Sequence, residues 1–167
     1  MSHPALGLPP ADPTAGLPAA AAQLRANQAR LTKVGLEEAA RRDPSLTARH
    51  DELALRELLR DSDRHLEQLA QALETGEARF VTQYAEWLQP PYRRRNVPAA
   101  DQRTLLLGLR DACAAVLSPA ELEVLNGYVQ AWVKVLAFHQ RLPGDHRGNA
   151  AVRFVWKGAG ILDDSIV

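Results

Sequence analysis

Cysteine is nearly missing from this chain: Cys113 is the only one among 167 residues. One thiol makes neither an intramolecular disulfide nor a cysteine-rich metal site, and the scarcity fits a reducing compartment, so we expect the cytoplasm. An excess of either charge is missing too. Lys+Arg and Asp+Glu both number 20, whereas a general nucleic-acid or acidic-membrane binder needs a clustered basic excess. No uninterrupted apolar run approaches the length that spans a bilayer. The first residues lack the basic-then-apolar order of a secretory signal. Enzyme fingerprints are missing as well: there is no Gly-X-Gly-X-X-Gly after a strand, no phosphate loop, no Gly-X-Ser-X-Gly and no His-Glu-X-X-His. Asp163 and Asp164 are adjacent carboxylates near the end of the chain, a poor basis for acid–base work. These absences favour a binding or sensory module over an enzyme.

What is present is helical periodicity. Residues 1–18 are rich in Pro, Gly and Ala and are expected to form a disordered leader. From Ala19 to Arg42 the sequence is Ala-rich, with Leu24, Leu31, Val34 and Leu36 as sparse apolar anchors of one helix. Too few large apolar residues occur there for independent stability, so this helix must pack on the bundle or on a second copy. Asp43-Pro44-Ser45 breaks it, because the residue before proline is pushed away from α. The strongest pattern runs from about Leu46 or His50 to Glu74, where Leu55, Leu59, Ser62, Leu66, Leu69 and Leu73 stack on one face. Gly76 suits its left-handed end.

A following helix from Glu77 places Phe80, Val81, Tyr84, Trp87 and Leu88 together, and Pro90-Pro91 should break or kink it. A third helix starts near Pro98 and carries Leu105, Leu106, Leu109, Cys113 and Val116. Ser118-Pro119-Ala120-Glu121 is a strong start for a fourth, with a cap hydroxyl, proline at the first position and a carboxylate three residues past the cap. That helix carries Leu122, Leu125, Tyr128, Val129, Trp132, Val135 and Leu136 and ends near Arg141. Within the tail, 142–167, the run Ala151 to Trp156 reads as a short extended segment.

Several residues have two readings. Asp61 and His65 share a face beside the leucine seam; they are either an ordinary surface pair or a buried polar site. Arg60 and Arg64 form a column that is either solvated or fit for pairing carboxylates. Tyr84 and Trp87 are either core or a ligand-stacking pair. The run Arg93-Arg94-Arg95 beside Tyr92 either complements a helix end or clamps anions. Cys113 reads as an inert core residue.

The segment Leu58-Leu59-Arg60-Asp61 resembles the Cys-X-Arg-Asp of phycobiliproteins, the globin-fold antenna proteins that hold linear tetrapyrroles. The resemblance extends through residues 66–76 and 105–125, and covers about half the chain. In particular the sequence is similar to the phycobiliprotein-like globins of non-photosynthetic bacteria, the bilin biliverdin-associated globins. The run from His65 to Leu73, with Phe80, Tyr84 and Trp87, also resembles helical domains that precede cobalamin-binding modules. The phycobiliprotein likeness implies that Asp61 bonds the central pyrrole nitrogens and that Arg60 pairs with a propionate. Leu58 stands where the family has the pigment-linking cysteine, which implies a non-covalent pigment.

The residues around that motif complete the expected site: His65, Arg64, Tyr84, Trp87, Tyr92 and Arg93, in a pocket between the Asp61 helix and the Phe80–Tyr92 segment. Haem is not expected, because the helix from Glu77 to Arg95 carries no histidine. Asp145-His146-Arg147-Gly148 does not reproduce the corrinoid loop either. The expectation is thus an all-α, globin-like helical bundle (19–141); the rival expectation is a cofactor-free helical interaction or stress-signalling module. A bilin such as biliverdin is the expected ligand and a homodimer the expected assembly, with no nucleic acid and no membrane as partners.

Overall fold

The structure is a computed structural model and describes residues 15–140. Among them are seven α-helices and no strand: α1 (Pro18–Ala26), α2 (Gln28–Arg42), α3 (Leu46–Arg49), α4 (Glu52–Thr75), α5 (Arg79–Arg94), α6 (Ala99–Cys113) and α7 (Pro119–Gln140). The domain is therefore all-α, as the periodicity requires. Most of the expected leader, the expected tail and the run Ala151 to Trp156 lie outside the described residues.

The expected single helix from Ala19 to Arg42 is instead two helices meeting at Asn27. The Asn27 amide donates to Leu24 O at 3.2 Å and its Nδ2 to Gln23 O at 2.9 Å, so the side chain competes with the helical ladder. Packing explains why the break is useful, since α1 lies chiefly on α4 and α2 chiefly on α6. The N-terminal end of α1 is also fixed: Leu17 N donates to Leu73 O at 2.5 Å. Helix α1 thus begins at Pro18, one residue before the expected Ala19.

The contact of α2 with α6 is built on glycine. A Cβ on Gly108 would sit 2.3 Å from Gly35 O and 2.8 Å from Ala39 N. The two backbones meet where any side chain would keep them apart.

Asp43 takes the extended geometry expected before Pro44, at φ −135°, and α3 bridges to α4. There Asp51 caps the helix by accepting from Ala54 N at 2.8 Å. Gly76 closes it at φ 76°. Of the expected seam, Ser62, Leu66, Leu69 and Leu73 are buried, whereas Leu55 and Leu59 are half-buried and Leu58 turns inward in their place. At α7 the capping box is complete: Ser118 N donates to Glu121 Oε2 at 2.8 Å and Glu121 N to Ser118 Oγ at 3.4 Å.

Helix α5 departs from expectation by running through Pro90 and Pro91 to Arg94. The prolines remove the donors for Glu86 O and Trp87 O, but both of those residues are exposed, where water replaces the lost bonds. The helix ends one turn later at Asn96, in left-handed geometry at φ 55°. Asparagine tolerates that region, and Val97 N donates back to Tyr92 O at 2.9 Å. This termination sets the direction of Arg95.

Candidate functional site

Where α4, α5 and α7 converge, the core turns polar. His65 of α4 is buried among three aromatic rings. Its Nε2 lies 2.8 Å from the Tyr92 hydroxyl and its Nδ1 3.3 Å from the Tyr84 hydroxyl. The Trp132 ring of α7 stands edge-on to it, with centroids 5.1 Å apart, and edge-on to Tyr84 at 5.3 Å. Tyr84 in turn stacks on Trp87, centroids 5.9 Å apart and planes 21° from parallel. Trp87 is 62% exposed. A continuous aromatic assembly therefore runs from the interior to solvent.

One turn N-terminal to His65, Asp61 is buried and accepts from Arg95 Nη1 at 2.5 Å. Arg95 Nη2 reaches Glu57 Oε2 at 3.1 Å, and the guanidinium carbon lies 5.4 Å from the Tyr92 ring centroid. The electrostatics follow from this enclosure. Burial pushes His65 down to about 4, against the Asp61 charge and helped by Arg64 and Arg95, so the imidazole is neutral at neutral pH. Burial, then the Asp61 charge, raises both Tyr84 and Tyr92. Both phenols stay protonated.

The structure thus brings together Asp61, His65, Tyr84, Trp87 and Tyr92. Arg60, Arg64 and Arg93 lie on exposed positions, with Arg64 close enough to act on His65 and Tyr84. Leu58 is a fully buried core residue whose carbonyl accepts from Ser62 Oγ at 2.8 Å. Two partners escaped the sequence reading. Arg95, which was not among the expected site residues, meets Asp61, and Trp132 closes the cluster from α7. The basic run was the signal for the first; the phase of a helix passing two prolines was not readable.

A second polar cluster was missed altogether. Asp101 in the first turn of α6 is 1% exposed. It accepts from Arg49 Nη2 at 2.6 Å and lies 2.7 Å from His50 Nε2. Arg49 also meets Asp43 at 2.5 Å. These contacts clasp the α2–α4 connection to α6. Cys113 is wholly buried, and burial pushes its thiol up to about 12, so it is unreactive as expected.

Among the described residues no group of three or more His, Cys, Asp or Glu side chains is placed to hold a metal ion. No helix there is long and apolar enough to cross a membrane. Comparison with protein-family models and with curated proteins finds no match for this sequence.

Proposed function

We propose that this domain binds a linear tetrapyrrole without a covalent bond, as a carrier or sensor and not as an enzyme. The observation that carries the reading is the convergence of stacked Tyr84 and Trp87 with the Asp61–Arg95 ion pair around His65. A flat conjugated ligand laid against Trp87 would extend a stack that already exists. Arg60, Arg64, Arg93 and Arg95 supply guanidinium groups suited to propionates. Asp61 would meet pyrrole N–H groups once Arg95 turns to a ligand carboxylate, an exchange of one ion pair for another. Leu58 offers no thiol and Cys113 is buried on α6, so no thioether forms. The expected setting is the cytoplasm, and a homodimer is part of the proposal. Ala20, Ala21, Leu24 and Leu31 are used inside the chain, so a second copy would dock on another face.

The rival is a cofactor-free interaction or stress-signalling module. One observation favours it: His65, Tyr84, Tyr92, Asp61 and Arg95 already satisfy one another. Adding biliverdin to the purified chain separates the two readings. The bilin reading expects a strong visible band, quenching of tryptophan fluorescence, and complete release of pigment by acid and organic extraction. No band and no quenching would leave the cofactor-free module standing.

A further inference from the structure

The assembly around His65 has a property that does not depend on any pigment. Tyr92 is 1% exposed, and its hydroxyl is held 2.8 Å from a buried, uncharged imidazole nitrogen. A phenol in that position loses an electron more easily than one in apolar surroundings, because its proton has a base to move to in the same step. From the same imidazole, ring contacts lead outward: His65 to Trp132 at 5.1 Å, Trp132 to Tyr84 at 5.3 Å, Tyr84 to Trp87 at 5.9 Å. Each pair is in the range of direct aromatic contact. Trp87, at the outer end, is 62% exposed.

We propose that Tyr92 and His65 form a proton-coupled redox site, wired through Trp132 and Tyr84 to Trp87, where a one-electron oxidant in solution is reduced. The step balances. The oxidant takes one electron from Trp87, the vacancy moves inward along the rings, and Tyr92 refills it. That last electron crosses the intervening His65 ring, whose centroid lies 6.1 Å from that of Tyr92, and the Tyr92 proton passes to His65 Nε2, leaving a neutral tyrosyl radical, an imidazolium and the reduced oxidant. In this arrangement Nδ1 of His65 carries the N–H and donates to the half-buried Tyr84 oxygen, leaving Nε2 to accept from Tyr92.

Two further features direct the vacancy to Tyr92. Among the described residues, Trp132 Nε1 is buried and without a hydrogen-bond acceptor. An oxidised Trp132 therefore has nowhere to lose its proton, and it passes the vacancy on instead of trapping it. The imidazolium that forms is faced by Asp61 and Arg64 of α4 and by Arg95 at the end of α5; among the described residues, α7 contributes the Trp132 ring. Asp61 stabilises the positive charge, and its own link to Arg95 limits how strongly.

The test uses the full chain without pigment and a photogenerated tris(bipyridyl)ruthenium(III) oxidant. Transient absorbance and freeze-quench electron paramagnetic resonance should show a tyrosyl radical. Its formation should slow in deuterated water, because the proton moves with the electron. Tyr92→Phe should remove that signal and leave tryptophan oxidation in its place. Trp87→Phe, a surface change that leaves the core intact, should slow radical formation and keeps the test standing should Tyr92→Phe unfold the domain. A tyrosyl signal of unchanged yield in Tyr92→Phe, or an unchanged rate in Trp87→Phe, would overturn the proposal. Because no bilin is present, neither result bears on pigment binding.

Discussion

Two helix contacts in this domain are built on opposite principles. Between α2 and α6, Gly35 and Gly108 let backbones touch, and Leu31, Ala39, Leu105 and Leu109 fill the space around them. Between α4, α5 and α7, the space holds His65, Tyr84, Tyr92 and Trp132 with Asp61 and Arg95 alongside. The first contact is limited chiefly by volume, with one ion pair, Arg42 to Asp111, at its edge. The second is limited by hydrogen bonding and charge. Close packing governs the former, and a polar network governs the latter.

The sharpest way to break the first contact is Gly108→Ala. Its Cβ meets backbone atoms, which cannot rotate aside, so overpacking should cost about 3 kcal/mol. Gly35→Ala meets chiefly the flexible Leu109 side chain and should cost less. Urea unfolding of both variants checks the order, and equal losses would show that the close approach is not fixed by Gly108.

The polar contact should instead answer to acid. The folded pKa of His65 is depressed from 6.5 to about 4. The unfolded chain therefore binds the proton first as pH falls. Stability from the neutral imidazole is full above about 6.5 and is lost as pH drops toward 4, by on the order of 2–3 kcal/mol. His65→Leu should remove that slope, so the difference between the two pH profiles isolates it from the carboxylates. A parallel pair of profiles would refute the assignment. At neutral pH the same variant should lose about 1–2 kcal/mol, because the buried Tyr92 hydroxyl loses its imidazole partner and keeps Asp61 alone.

Asp61→Asn tests the ion pair beside the cluster. Arg95 stays partly solvated, so the loss of stability should be about 1 kcal/mol. With a bilin bound, the red absorbance should weaken and the pigment's titration should move to lower pH, since its protonated form loses a counter-charge. Unchanged stability and spectrum would make Asp61 a bystander. Trp87→Ala should be smallest in stability, within about 0.5 kcal/mol as for other surface positions. Yet it should weaken pigment binding clearly, a split that equilibrium unfolding and absorbance titration together can read.

The sequence announced these two regions unequally. The α4 seam, the Gly76 terminus and the Ser118–Glu121 box were legible because each is local: its partners lie within a few residues. Asn27 was not, because an asparagine breaks a helix only when the two halves have different surfaces to cover. Arg95 was hidden for a related reason. Three consecutive arginines point in three directions, and Asp61 lies 34 residues back. The clasp of Asp101 on Arg49 and His50 was invisible, since nothing near Asp101 hints at a cation from another helix.

The joint at Asn27 bears on how the domain is made. Helices α1 and α2 leave the ribosome first, yet the surfaces they cover belong to α4 and α6. Neither carries enough apolar residues to hold its shape while waiting. Helix α1 can dock once Thr75, the end of α4, has emerged, whereas α2 must wait for Cys113, the last residue of α6. Docking of α2 then closes a long loop, an entropic cost met late. Synthesis from one end does not give folding from that end: α1 and α2 wait for surfaces that are made after them.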